Sequence, residues 1–368
     1  MGRVYARLAC PFVLRILTVV RKLRKDTMVA SATLAGAGVA CASVFAIAAR
    51  TLRSRRLEDK VIVITGGSRG LGLALAEELG REGTKLALSA RDSDELGRAR
   101  ELLMERHCVR DANDILLFTA DLRNAEEAEK LICETSRRFG RVDILINNAG
   151  IITVGPVESQ TVGDFREAMD TNFFSGVHCT LAVIPQMLAR RDGAIVNIAS
   201  IGGKIAVPHL LPYAASKFAA VGFSEGLSAE LRGKGIRVTT VCPGLMRTGS
   251  HLNAQFKGQA EREYCWFSVA AGLPGLSTSV SSAARKIVAA IAVGKREIVI
   301  TPQAILAARL GNAMPAVTGR ILELVNLTLP SASRGSNALY RGAEVREREV
   351  KPLTVLANAA ARRYNQMG

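Results

Sequence analysis

Val61-Ile62-Val63-Ile64-Thr65-Gly66-Gly67-Ser68-Arg69-Gly70-Leu71-Gly72 is a β-branched apolar run that opens, through glycines, onto the helical pattern 71–79. The run reads as a strand buried on both faces. Gly66, Gly70 and Gly72 let the backbone turn sharply, approach a pyrophosphate, and pack the helix close to the strand. The helix N-terminus that follows offers unpaired N–H groups and the positive end of a dipole to an anion. A glycine cluster alone is a weak signal; this one sits at the strand-to-helix junction that gives it meaning.

Working outward, short apolar runs recur at 85–90, 114–120, 142–148, 194–200, 236–242 and 296–300, with helical patterns such as 94–106, 125–139 and 214–231 between them. Seven such strands alternating with helices predict an α/β protein with a doubly wound, seven-stranded parallel sheet and right-handed crossovers. The 368 residues fit one catalytic-size domain with appendages: an N-terminal segment 1–56, a central domain 57–301 and a C-terminal extension 302–368. Within the extension, 303–329 is apolar and interrupted by Pro315, and reads as helix packed on the domain or resting on a membrane. Residues 331–368 are polar and basic, and are expected to be loosely ordered apart from a last helix.

The net charge of +16 is concentrated at the start, where residues 1–60 hold a net of +9. An uncharged run at 28–49 is flanked by basic clusters and is long enough to span a bilayer. It predicts membrane association, by spanning or by lying in the interface, with the catalytic domain on the cytosolic side. An Arg-rich targeting sequence is the other reading of the first 25 residues. Neither zinc-ligand spacing nor an RNA-binding signature is present, so nucleic acid is not an expected partner. The seven scattered cysteines form no CxxC pair and read as reduced thiols, and no metal site is expected.

Chemistry concentrates around 172–217. Tyr213 and Lys217 are four apart on a predicted helix and share a face. A phenol can protonate an oxygen on which negative charge builds, and a nearby ammonium favours the phenolate, moving its pKa towards the working pH. Ser200, at the end of the fifth strand, can hold that oxygen by a hydrogen bond. Asn172 lies in a helical stretch before that strand. His178, His209 and His251 have no acid nearby in sequence and read as structural or substrate-side residues.

The TGxxxGxG spacing of 65–72, Asn147-Asn148-Ala149-Gly150 and the set Asn172, Ser200, Tyr213 and Lys217 together resemble the short-chain dehydrogenase/reductase family over roughly 57–301. The resemblance implies a Rossmann-type fold and an NADP(H)- or NAD(H)-dependent oxidoreductase interconverting a carbonyl and an alcohol. Tyr213 would be its general acid/base, and the four residues its catalytic tetrad. It implies that Thr65, Gly66, Ser68, Arg69, Gly70, Leu71 and Gly72 line the cofactor phosphates. Asp121 and Leu122 would bind adenine, and Asn148, Ala149 and Gly150 would run along the cofactor. Pro243, Gly244 and Thr248 would hold the carboxamide. Lys217, beside Tyr213, would also bind the nicotinamide ribose, and Asn172 would support a water relay to Tyr213. Arg69 and Arg91 favour NADP(H), because two guanidinium groups can grip a 2′-phosphate. Asp92 would instead take free ribose hydroxyls if the second strand ran one residue longer.

In the family the stretch after Pro-Gly forms a lid over the substrate. Here 245–275 contains Met246, Phe256, Tyr264, Trp266 and Phe267, which either line an apolar substrate site or pack the lid onto the core. The expected substrate is lipophilic, and a homo-oligomer is compatible with the pattern. The alternative function is a catalytically silent, cofactor-binding regulatory protein on the same fold.

Overall fold

The computed structural model describes residues 57–273, 275–332, 337–346 and 351–367. The segment 28–49, and with it the expected anchor, lies outside them. Seven strands form one parallel sheet: β1 (Val61–Thr65), β2 (Lys85–Ala90), β3 (Ile115–Thr119), β4 (Ile144–Asn147), β5 (Gly193–Ile198), β6 (Ile236–Pro243) and β7 (Glu297–Ile300). Their order is β7-β6-β5-β4-β1-β2-β3. All pairings are parallel, with Thr65 opposite Ser89 and Asn147 opposite Asn197. Direction reverses beside β1, where β1 pairs with both β2 and β4. Such a switch point opens a crevice at the carboxyl ends of the strands.

The continuous apolar runs become strands because helices cover both faces. Ile62, Ile64, Leu86 and Leu88 face one core with α1 (Gly70–Gly80), α2 (Ser93–Glu105) and α8 (Val280–Val293). Val63, Ala87 and Leu145 face the other with α3 (Ala125–Phe139) and α5 (Ser175–Arg190). The period of two along each strand thus divides the core. Helices α4 (Val162–Met169), α6 (Leu211–Leu231) and α7 (Ala260–Gly272) surround the crevice end. The strands expected at 114–120, 142–148 and 194–200 are 115–119, 144–147 and 193–198, and the residues past their carboxyl ends form the crevice loops.

The extension is helical where its sequence reading expected helix. The stretch 303–329 is two helices, α9 (Pro302–Ala313) and α10 (Pro315–Asn326), parted at Met314 where proline disfavours helix in the residue before it. Helix α9 buries Ala304 and Ala308, but α10 buries none of its residues. The expected last helix is α11 (Lys351–Arg363), and it is docked: Ala357, Ala361 and Tyr364 are buried, and Tyr364 joins the α1–α2 core. Among the described residues no helix is long and apolar enough to cross a membrane.

Candidate active site

The glycine loop joins β1 to α1. A Cβ on Gly72 would lie 2.0 Å from the Gly66 carbonyl oxygen, and Gly66 has φ +62°, so both positions exclude a side chain. Arg69 caps α1 without a side-chain bond. By helix geometry the Gly70, Leu71 and Gly72 amides lack partners inside the helix. The Tyr364 carbonyl accepts from Gly70 N–H at 2.8 Å, which leaves the Leu71 and Gly72 amides for an anion. This glycine-lined cradle at a positive helix end fits a dinucleotide pyrophosphate.

The Thr65 hydroxyl accepts from the amides of Asn148 (2.9 Å) and Ala149 (3.0 Å), while Asn148 Nδ2 donates to the carbonyls of Thr65 and Gly66, each at 3.0 Å. These bonds lock the ends of β1 and β4 together and hold Gly150 at the crevice, exposed. A Cβ on Gly150 would lie 2.8 Å from Asn172 Oδ1 and 3.6 Å from Lys217 Nζ, so this strip leads directly to the tetrad. At the β6 end, Gly244 N–H donates to Ile300 O at 3.1 Å and Thr248 is buried, its hydroxyl accepting from Ser250 N–H.

The tetrad residues converge from three elements, with Tyr213 and Lys217 both on α6. Asn172 sits in one π-turn, Asp170–Phe174, a helical irregularity often found at functional sites. Its Oδ1 accepts from Ile151 N–H at 2.7 Å, and its Nδ2 donates to Ile151 O and to Ser216 Oγ. Ser216 Oγ in turn donates to Tyr213 O at 2.7 Å, so Asn172 is tied to the helix carrying Tyr213. Ser200, just beyond β5, accepts from Gly202 N–H at 3.0 Å and hydrogen-bonds Tyr213. Lys217, buried on α6, donates to Ile198 O at 2.9 Å and lies 5.8 Å from the Tyr213 ring centre.

The electrostatics correct one expectation. The Tyr213 phenol is raised above its ordinary value by burial, with the Ser200 hydrogen bond opposing. Burial also lowers Lys217 from 10.5 to about 8. Burial therefore outweighs the Ser200 hydrogen bond in setting the direction of the phenol's shift.

Other sequence-predicted residues have partners that the sequence did not show. Arg69 Nη1 pairs with Glu95 Oε1 at 2.7 Å and donates to Asn253 Oδ1 at 3.2 Å, so it is not a free phosphate ligand. Ser68 Oγ donates to the same Glu95 carboxylate. Arg91 is exposed just past β2. The strand ends at Ala90, and Asp92 caps α2, accepting from Glu95 N–H at 2.9 Å. Asp121 is held by Arg123 Nε at 2.9 Å, which lowers its carboxyl below the usual range, and Leu122 is buried with its carbonyl 3.1 Å from His178 Nδ1.

His209 is not without an acid: its Nδ1 lies 2.9 Å from Glu263 Oε1, and Trp266 Nε1 donates to Glu263 Oε2 at 2.6 Å. Phe256, Tyr264, Trp266 and Phe267 are buried together with Val154 and Val345, so these aromatics pack the segment onto the domain. Sequence reasoning missed Glu95, Asn253 and the tail residues Tyr364–Gln366. Glu95, third in its helix after a capping Asp92, carried the one usable signal, since that position points back past the helix start.

A family model for short chain dehydrogenases matches residues 60–257. The chain belongs to the short-chain dehydrogenase family. Its members are oxidoreductases, and the fold implies a nicotinamide dinucleotide as cofactor. Relatives include an Anopheles gambiae dehydrogenase/reductase SDR family protein 7-like, 38% identical over 55% of this chain and 63% of that protein. The Danio rerio dehydrogenase/reductase SDR family member 7B is 37% identical over 56% of this chain and 67% of that one. A Streptomyces coelicolor protein named as a ketoacyl reductase is 37% identical over 52% of this chain and 72% of its own. The chain therefore spans less than two thirds of the length of the Anopheles relative. A solved short-chain dehydrogenase from Streptomyces avermitilis superposes with TM-score 0.60 at 27% identity, covering 73% of this chain and 97% of that one.

Proposed function

We propose that this protein is an NADP(H)-dependent reductase of lipophilic carbonyls, or the corresponding alcohol dehydrogenase, with Tyr213 as general acid/base. The convergence of Asn172, Ser200, Tyr213 and Lys217 beside the Gly150 strip carries the reading. Residues 148–150 would hold the nicotinamide end of a bound dinucleotide, which would supply the hydride. Ser200 Oγ accepts from Gly202 N–H, and its own hydrogen, directed at the Tyr213 phenol, can pass to a substrate oxygen bound beside that phenol. Tyr213 gives its proton to that oxygen as negative charge builds there. Lys217, at about 8, is still mostly protonated at neutral pH, so a cation stands behind Tyr213 in the working range. Asn172 holds the α6 end through Ser216.

Exposed Arg91, and an Asp92 already used as a helix cap, support NADP(H) over NAD(H). The name of the Streptomyces coelicolor relative supports an acyl-chain carbonyl as substrate class. Helix α10 supports a membrane surface as partner, because it exposes Val317, Ile321 and Leu324.

Oxidation of NADPH and NADH with carbonyls of increasing chain length tests the reading. Turnover should favour NADPH and longer chains, and Tyr213→Phe should lose about 10²–10⁴-fold while still binding cofactor. Cofactor binding without turnover of any carbonyl would favour the silent regulatory protein. The full chain should float with anionic vesicles, and Ile321→Asp with Leu324→Asp should weaken this; unchanged flotation would remove α10 from the contact.

A further inference from the structure

Three segments remote in sequence meet at the first turn of α1. From the glycine loop come Ser68, Arg69 and Gly70; from the stretch after Gly244 comes Asn253; from the C-terminal segment come Tyr364, Asn365 and Gln366. Asn365, 8% exposed, donates through Nδ2 to Ser68 O at 2.9 Å and to Glu95 O at 3.0 Å, and its Oδ1 accepts from Arg98 Nε at 3.2 Å. One buried amide thus ties the glycine loop to α2. Its φ is +56°, a conformation that asparagine tolerates better than most residues. Next to it, Tyr364 O accepts from Gly70 N–H. Asn253 Nδ2 donates to Gln366 O at 3.0 Å and to Gln366 Oε1 at 2.7 Å, while Asn253 Oδ1 accepts from Arg69. Gln366 lies so near the loop that a Cβ on Gly70 would come 2.4 Å from its Nε2.

We propose that Tyr364–Gln366 forms a wall of the dinucleotide site, with Asn365 as the positioning residue that holds Ser68–Gly70 in the phosphate-accepting conformation. The inference rests on the family's nucleotide site and adds a component from outside the matched residues. The physical case is one of loop order. Gly70, at φ +57°, gives the loop no intrinsic preference for its bound shape, and Arg69 offers α1 no side-chain cap. The tail supplies both constraints: a carbonyl on the first amide of the helix and an amide on the loop carbonyl. The Leu71 and Gly72 amides then face the anion from a fixed frame, so less ordering remains to be done on binding. The Asn253–Gln366 bonds extend the same frame to the segment that precedes the buried aromatics of α7.

The test uses the full chain. Asn365→Gly keeps the left-handed backbone accessible and removes only the bridging amide. Kd values for NADPH and NADH are measured by titration, together with hydrogen exchange of amides 66–72 and of β4 and β5. Losing the bridge should weaken both cofactors about tenfold and speed loop exchange by a similar factor, on the basis of about 1.4 kcal/mol per tenfold. Exchange in β4 and β5 should stay as it is, which a general loss of structure would not permit. Gln366→Ala, at a half-buried position, should weaken both cofactors in the same direction, and it decides the matter if Asn365→Gly does not fold. Unchanged or tighter binding in the folded variants would overturn the proposal while leaving the nucleotide site intact. Binding of neither cofactor by the unmodified chain would overturn both.

Discussion

Lys217 offers the most direct physical test of the site, because its charge is held where water is not. Burial lowers it from 10.5 to about 8, and its hydrogen bond to Ile198 O stabilises the charge only in part. In the unfolded chain it titrates near 10.5, so between about pH 8 and 10.5 the unfolded state holds a proton that the folded state has lost. Stability must then rise with pH across that window, by about 1.36 kcal/mol per pH unit where the two states differ by a full proton. Below about pH 8 both states are protonated, and the full cost of the buried ammonium, about 3 kcal/mol, is present.

Lys217→Met removes this titration while keeping most of the side chain's volume. It also removes the hydrogen bond to Ile198, but that loss is nearly the same at every pH. Urea unfolding of cofactor-free wild type and variant from pH 7 to 10 should therefore show the stability of the wild type rising relative to the variant by about 2.5 kcal/mol. A difference that stays flat over that range would mean that Lys217 keeps its ordinary value. The desolvated reading of the site would then be wrong. A difference that falls with pH would require an anion next to Lys217, which the geometry does not contain.

Cofactor choice gives a paired expectation. Arg91→Ala should weaken NADPH far more than NADH, by about 1.5–3 kcal/mol for a lost charge-assisted bond, whereas Glu95→Gln should release Arg69 and tighten NADPH selectively; equal changes for both cofactors in titration would count against a 2′-phosphate at this place. Glu263→Ala should leave His209 Nδ1 and Trp266 Nε1 without their acceptor, at about 1–3 kcal/mol for each donor left unpaired, read as a lower urea midpoint.

The parts of this protein that were legible in the sequence are those whose physics is local. The run 61–72 writes its strand, turn and helix in adjacent residues, and the fourfold spacing of Tyr213 and Lys217 fixes their shared face. The seven strands follow because burial on both faces demands continuous apolar runs. What was hidden is what depends on distant charge. Arg69 looks like a free phosphate ligand in sequence, yet it meets Glu95, 26 positions on, and Asn253, 184 positions on. His209 meets Glu263 across 54 positions. The upward shift of the Tyr213 phenol was hidden for the same reason, because burial is a property of the folded whole.

Helix α11 shows what the sequence reading of the C-terminal extension left open, namely where its last helix docks. The stretch 331–368 around it is basic and polar in composition, which by itself argues for a solvated segment. Yet Ala357, Ala361 and Tyr364 recur at intervals of four and three, a narrow stripe that small side chains make easy to overlook. The stripe works because it packs against a glycine: a Cβ on Gly249 would lie 2.4 Å from the Ala361 Cβ, so backbone meets backbone. Close approach of this kind lets a short helix with few large residues deliver Asn365 to the glycine loop. An Ala361→Leu change should therefore be far costlier than its exposed neighbour Arg362→Leu, since only the first must displace the Gly249 backbone. Comparable urea midpoints for the two variants would show that α11 does not dock as closely as the structure has it.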